Sequence, residues 1–283
     1  MKQRILTAAI LLPLAFIWLF AMSFPFFIGV SIIIYALAAR EWAGFTKSKS
    51  KFFYICSYLL MLAISYWLTP VEILKKNQLP FPIIVILAIG ALWWCIATLM
   101  VKCYPTAQSW WKHSHLLQWL FGVVTLLPFF WSVLVLRARN YEIDLQSGSW
   151  VLLFVMSLVW VADSGAYFTG KNWGKRKMLP AVSPNKTLEG LFGGVSSALI
   201  LAFVVVLCEQ ESLKQSLIII ISSVLAVLAS VLGDLTESLF KREAGIKDSG
   251  SLLPGHGGIM DRIDSLTAAL PVFVFSFWLF NSI

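Results

Sequence analysis

Nine apolar runs, each close to the length that crosses a bilayer, divide this chain from one end to the other. They cover Ile5–Met22, Phe24–Ala39, Phe53–Leu68, Leu79–Val101, Leu116–Leu136, Trp150–Phe168, Leu191–Cys208, Leu217–Leu235 and Leu266–Phe280. A spanning helix needs roughly 20 predominantly apolar residues. The runs leave no stretch long enough for a separate water-soluble domain. Composition agrees: 59% of the 283 residues are hydrophobic and 13% charged, against about 25% charged in a soluble domain. A soluble globular protein, a disordered chain, collagen and a coiled coil are all excluded. Lys2 and Arg4 precede the first run as they would in a signal peptide, but a second run follows at once, so the first is read as an uncleaved span. Cys56, Cys95, Cys103 and Cys208 stand singly, without a CxxC pair, and are read as small membrane-packing residues rather than a zinc site or disulfide framework. The expectation is an all-α polytopic membrane protein of about nine transmembrane helices.

The net charge of +8 raises the question of where the positive residues sit. Cytoplasmic loops retain Lys and Arg during insertion. With the N-terminus inside, seventeen of the 22 basic residues fall on the cytoplasmic face, and Lys75, Lys76, Arg137, Arg139 and Lys214 remain outside. This predicts a cytoplasmic N-terminus and an outside C-terminus, and accounts for the charge without a nucleic-acid partner. The acidic residues are uneven. Glu41 is the only one on the cytoplasmic side before Asp163; then come Asp163, Glu189, Asp234, Glu237, Glu243, Asp248, Asp261 and Asp264. Residues 1–149 therefore read as membrane scaffold and 150–283 as the catalytic region, with cytoplasm-facing loops at 169–190 and 236–265.

The sixth run ends in Trp160-Val-Ala-Asp163-Ser-Gly-Ala-Tyr167. An ionisable group at that depth is a functional candidate, because an unpaired charge in a membrane helix costs about 2.5–3.5 kcal/mol or more. Gly170-Lys171-Asn-Trp-Gly174-Lys175-Arg176-Lys177 and then Ser183-Pro-Asn-Lys186-Thr187-Leu-Glu189-Gly190 follow. Glycines admit a phosphate close to the backbone, lysines supply charge, and hydroxyls at a helix start add donors. The plain alternative is a positive-inside loop with Ser183 capping the seventh helix and Glu189 in its first turn. The order GxxxxGK[ST] is absent, so this is no P-loop. Tyr167 and Trp173 are read as interface anchors, with base stacking as the other possibility.

The richest stretch runs from Gly233 to Ser265. If the eighth helix continues through Lys241, Asp234, Glu237, Ser238 and Lys241 share one face. Leu253-Pro-Gly-His-Gly-Gly contains too many helix breakers to be helical and reads as a tight loop whose amides could hold an anion. Asp261 and Asp264 flank Arg262 at the start of the last span, where carboxylates suit the dipole; capping explains one acid, not two. Carboxylates mixed with cations and flexible glycines are what metal-assisted phosphoryl or nucleotidyl transfer requires. His256 is the cluster's one histidine, with a hydrogen-bonding role as open as acid–base work.

At these residues the chain closely resembles the phosphatidate cytidylyltransferase (CDP-diacylglycerol synthase) family. Ser238, Phe240, Lys241, Arg242, Lys247, Asp248, Gly250, Leu253, Pro254, His256, Gly257, Gly258, Asp261, Arg262 and Asp264 fill that family's C-terminal pattern without a departure. Asp163-Ser-Gly-Ala-Tyr and Ser183-Pro-x-Lys186-Thr187 are similar too. The resemblance implies transfer of CMP from CTP to phosphatidic acid, giving CDP-diacylglycerol and pyrophosphate, in a bacterial cytoplasmic membrane with the active site facing the cytoplasm. It implies Mg2+ held by Asp234 and Asp261, with Asp248 and Asp264 next. Lys241, Arg242, Lys247 and Arg262 would bind phosphates beside His256. Asp163, Ser183, Lys186, Thr187, Ser238, Gly257 and Gly258 would complete substrate binding. It also favours a homodimer. A transporter fits less well, because its charges would lie near the bilayer midplane in repeated broken helices. A CTP-dependent lipid kinase is the nearer rival, and the paired DxxxD pattern of enzymes that consume CDP-diacylglycerol is absent.

Overall fold

The computed structural model describes residues 2–48, 50–106 and 108–282. Lys49, counted above on the cytoplasmic face, lies outside the described residues, as do the side chains of Lys2 and Arg4. The apolar runs become nine α-helices: α1 Lys2–Phe16, continued by one π-helical turn Ile17–Ala21, α2 Phe24–Phe45, α3 Lys51–Trp67, α4 Phe81–Lys102, α5 His115–Ala138, α6 Ser147–Trp173, α7 Leu188–Glu209, α8 Leu213–Ala244 and α9 Met260–Ser282. Seven of them, α2 and α4–α9, are long and apolar enough to cross a membrane; the apolar stretch Ala9–Ala21 and α3 are shorter. Helix starts follow from local chemistry. Ser50, Ser114 and Ser212 each accept a hydrogen bond from the amide three residues on, which satisfies one orphan N–H of the first turn.

Helix α5 is the hub. Its apolar window is 78% buried, against 22% for α7, which faces outward along most of its length. Polar groups inside the bundle find partners across helices: Trp42 Nε1 donates to the Gln118 carbonyl at 2.9 Å, and Trp131 Nε1 to Ser65 Oγ at 3.0 Å. Helices α6 and α7 pack closely through small residues; a Cβ at Gly194 would lie 2.7 Å from the Ala162 carbonyl oxygen. Phe240, near the end of α8, is buried among Trp42, Phe45, Trp111 and Phe121, with ring centroids 5.2–6.3 Å away. That plug fixes the polar end of α8 against the amino-terminal half.

Several details differ from expectation. Helix α6 continues to Trp173 and α8 to Ala244, so the connections are shorter than the apolar runs implied. Between α6 and α7 the chain folds into a small antiparallel hairpin, β1 Lys177–Leu179 with β2 Ser183–Thr187. Ser183 therefore opens a strand and is not a helix cap. Thr187 caps α7, its Oγ1 accepting from Gly190 N–H at 3.1 Å. The four cysteines are free and exposed rather than packed inside the bundle, since each lies on an outward face or beyond a helix end.

Candidate active site

Helix α8 does extend through Lys241, and its polar face holds together internally. Ser238 Oγ donates to Asp234 Oδ1 at 3.3 Å, and Lys241 Nζ lies 2.6 Å from Glu237 Oε2. Lys241 also reaches the first turn of α9, 2.8 Å from Asp261 Oδ1, so one half-buried ammonium joins two helices through two carboxylates. Asp264, one turn further along α9, accepts from Ser265 N–H and lies against the carboxyl group of Glu237, whose Oε1 is buried with no hydrogen-bond donor.

The 245–259 connection between α8 and α9 wraps around Asp261. Asp261 Oδ2 accepts from Ser249 N–H (2.9 Å), Ser249 Oγ (2.8 Å) and Gly258 N–H (2.8 Å). Gly257 sits above it with φ +81°, where a Cβ would be 2.5 Å from Asp261 Oδ2; both the left-handed backbone and the close approach demand glycine. Leu253 N–H donates to Gly257 O, and His256 N–H to Leu253 O, which closes the turn the helix breakers implied.

One residue of this site comes from the half read as scaffold. Glu41, buried on α2, accepts from Ile259 N–H at 3.0 Å with Oε1, and from Met260 N–H at 2.8 Å and Ser249 Oγ at 3.0 Å with Oε2. The carboxylate thus satisfies amides at the start of α9, where a negative charge is favoured by the dipole. The Ser249 hydroxyl, with one proton to share between the two carboxylates, bridges it to Asp261. The signal available in the sequence was its being the single acid on its face of the first half.

Beside this buttress opens a pocket of about 740 Å3 lined by Lys247, Asp248, His256 and Arg262 and by the backbone of Gly250, Gly255 and Gly257. Lys247 and Arg262 are exposed, and neither they nor Arg242 makes an ion pair among the described residues. Arg242 leans on the hairpin through Nε to the Val182 carbonyl (3.4 Å). Nδ1 of His256 is buried without a partner. Cations without ion pairs and an unsatisfied imidazole around one opening suit a polyanion.

The hairpin closes the site from the other side. Lys186 Nζ, on β2, lies 2.6 Å from Asp234 Oδ2. Asp163, on α6, faces outward into the field of Lys186 and Asp234. Glu189 holds the hairpin's entry, accepting from Lys175 and Arg176 N–H groups and pairing with Arg176 Nε at 3.0 Å. The Thr187 hydroxyl is taken up by its capping bond and turned toward Gly170 and Gly174. Ser183 stands on the same strand as Lys186. Tyr167 and Trp173 are exposed, and Lys171 Nζ lies 5.7 Å from the Tyr167 ring centre.

The donor set is compatible with a hard divalent cation. All the carboxylates offer oxygen, the donor such an ion prefers. Asp261 has its Oδ2 saturated and can offer only Oδ1. Among the described residues no three carboxylate, histidine or cysteine side chains converge to hold a metal by themselves. An ion here would need oxygen from water or substrate phosphate, as is usual for Mg2+.

Comparison with known proteins covers the whole of this arrangement. Residues 2–280 match the cytidylyltransferase family. A phosphatidate cytidylyltransferase of Haemophilus influenzae is 42% identical over 285 residues, covering 98% of this chain and 99% of its own. One from Pseudomonas aeruginosa is 38% identical over 284 residues, covering 98% and 97%. One from Bacillus subtilis is 43% identical over 146 residues, about half of each chain.

Proposed function

The chain belongs to the cytidylyltransferase family, and from that premise we propose that it transfers the cytidylyl group of CTP to phosphatidic acid, releasing pyrophosphate and forming CDP-diacylglycerol. The observation that carries the chemistry is the junction of two unlike surfaces. A pocket of unpaired cations around His256 and Arg262 adjoins a carboxylate cluster at the ends of α8 and α9, which are themselves membrane-spanning in length.

In this reading the β- and γ-phosphates of CTP lie against Lys247, Arg262 and the glycine amides. The lipid arrives sideways past the exposed flank of α6. An oxygen of the phosphatidate monoester attacks the α-phosphorus, a new P–O bond forms, and the α–β anhydride bond breaks to release pyrophosphate. The monoester is already ionised near neutral pH, so no strong base is needed. Catalysis then rests on positioning and on neutralising charge that builds on the leaving group. Lys241 is held rigid by Glu237 and Asp261, so its ammonium needs no reorganisation. Asp234 and Asp264, with Asp261 through the Oδ1 that Lys241 also contacts, would be the carboxylates offered to Mg2+, water and substrate phosphate completing the shell, and Asp248 is a further candidate from the loop. The ion would supply positive charge to offset that of the phosphates. The seventeen-to-five bias of basic residues supports a site on the cytoplasmic side of a bacterial inner membrane. The family resemblance supports a homodimer, which light scattering on the purified chain would test.

The decisive assay is pyrophosphate release by detergent-purified protein. Release should require CTP, phosphatidic acid and Mg2+ together, give a matching liponucleotide, stop with EDTA and fail with ATP. Lipid-independent release, or none from folded protein, would sink the assignment.

A further inference from the structure

The opposite end of the bundle holds a second pocket. It measures about 290 Å3, at the small end of the range of ligand pockets, roughly 300–1,000 Å3. It lies where the ends of α5 and α9 meet the turn before α4. Phe273 to Asn281 of its wall are 12 to 20 residues along α9 from Asp261, roughly 18–30 Å at 1.5 Å per residue. The pocket is therefore separate from the site above.

Its floor is apolar, built by Val135, Phe273 and Val274, while its rim is polar. The rim carries Arg139, Asn77, Gln78, Asn140 and Asn281. Asn77 and Asn140 fasten the two turns together: Asn77 Nδ2 donates to Asn140 Oδ1 at 2.5 Å, and Asn140 N–H donates to Asn77 Oδ1 at 2.7 Å. Two other cations at this end have polar partners. Arg137 donates to the carbonyls of Leu145 and Met22, and Lys75 pairs with Glu72 at 2.7 Å. Arg139 is different. It is half-buried, its guanidinium lies 4.6 Å from the Phe277 ring centre, and it makes no ion pair among the described residues. Burial pulls its pKa below the usual arginine value, with the charge of Glu211 acting the other way.

We propose that this pocket binds the phosphate of an anionic phospholipid in the leaflet opposite the carboxylate cluster. Arg139 and the Gln78 amide hold the headgroup while an acyl chain follows Phe273 and Val274. A partly desolvated guanidinium that feels Glu211 but has no carboxylate within ion-pair distance gains from a phosphate, whose oxygens match its fork of donors. A soluble phosphate shares that chemistry. The apolar floor and the place at the membrane edge select the lipid. Trp278, on the same wall, suits the headgroup boundary. The inference does not depend on the transferase reading.

The test is native mass spectrometry of the full chain loaded with phosphatidylglycerol or phosphatidylcholine. Wild type should retain one phosphatidylglycerol in preference to phosphatidylcholine. Arg139→Gln, which keeps a planar group over Phe277, should lose that preference by about tenfold or more, and Arg139→Lys should keep part of it. Pyrophosphate release should be unchanged in both. A second readout leaves Arg139 in place: brominated-tail phosphatidylglycerol should quench tryptophan fluorescence more than the brominated choline lipid, and Trp278→Phe should remove the difference. Equal retention of the two lipids by wild type, an unaltered preference in Arg139→Gln, or equal quenching would overturn the proposal. Displacement of the lipid by millimolar inorganic phosphate would overturn the lipid assignment.

Discussion

Asp261 concentrates more interactions than any other side chain of the site, and its charge is what they share. Asp261→Asn keeps the shape but leaves Lys241 with Glu237 alone. Pyrophosphate release should fall about a hundredfold or more, with the bundle still folded by circular dichroism; near-normal turnover would remove Asp261 from the mechanism. Glu41 makes a sharper case, because nothing in its sequence neighbourhood says what it touches. Glu41→Gln keeps one acceptor oxygen but turns an NH2 donor toward one of the two N–H groups, Ile259 or Met260, that the carboxylate satisfies. The loss should be about 1–3 kcal/mol, read as a lower thermal midpoint in detergent, and a wild-type midpoint would contradict the clamp. The carboxylates of the second half were legible because several charges recur within one short polar stretch after an apolar run. Glu41 was not, because a hydrogen bond to a partner 208 to 219 residues away leaves no local pattern.

Two glycines separate backbone strain from steric pressure in the α8–α9 connection. Gly245 and Gly257 both have left-handed backbones, φ +73° and +81°, but a Cβ at Gly245 meets nothing within 4 Å, whereas at Gly257 it meets Asp261. Alanine at either position should cost about 1–2 kcal/mol for the backbone. Only Gly257→Ala should also suppress pyrophosphate release; equal activities in the two variants would show that the loop does not press on the carboxylate. Helices were predictable here because long apolar runs have few other outcomes in lipid. The hairpin was not. Lys177–Thr187 contains no alternation of apolar and polar residues, and its strands are held by a close turn and by Glu189, which accepts amides 13 and 14 residues upstream. Ser183 looked like a cap because it is a hydroxyl before an acid, a pattern Thr187 supplies four residues later.

At the scale of the molecule, the all-helical membrane architecture and the location of the polar cluster could be read from hydropathy and charge, whereas the contacts that tie the first half to that cluster could not. Phe240 plugs into aromatic residues of α2, α5 and the loop before α5, and Glu41 bonds the start of α9. Hydropathy sees each helix alone, so contacts between first and last helices are invisible to it. The bond between Glu41 and Met260 also bears on how the protein is made. A ribosome making this chain finishes α2 more than two hundred residues before the partner amides exist, so these bonds to Glu41 can form only when synthesis is nearly over. Truncated products should therefore be inert and prone to degradation. Two fragments divided in the 103–114 loop should yield enzyme when produced together and none when produced apart, and activity from the later fragment alone would refute this dependence.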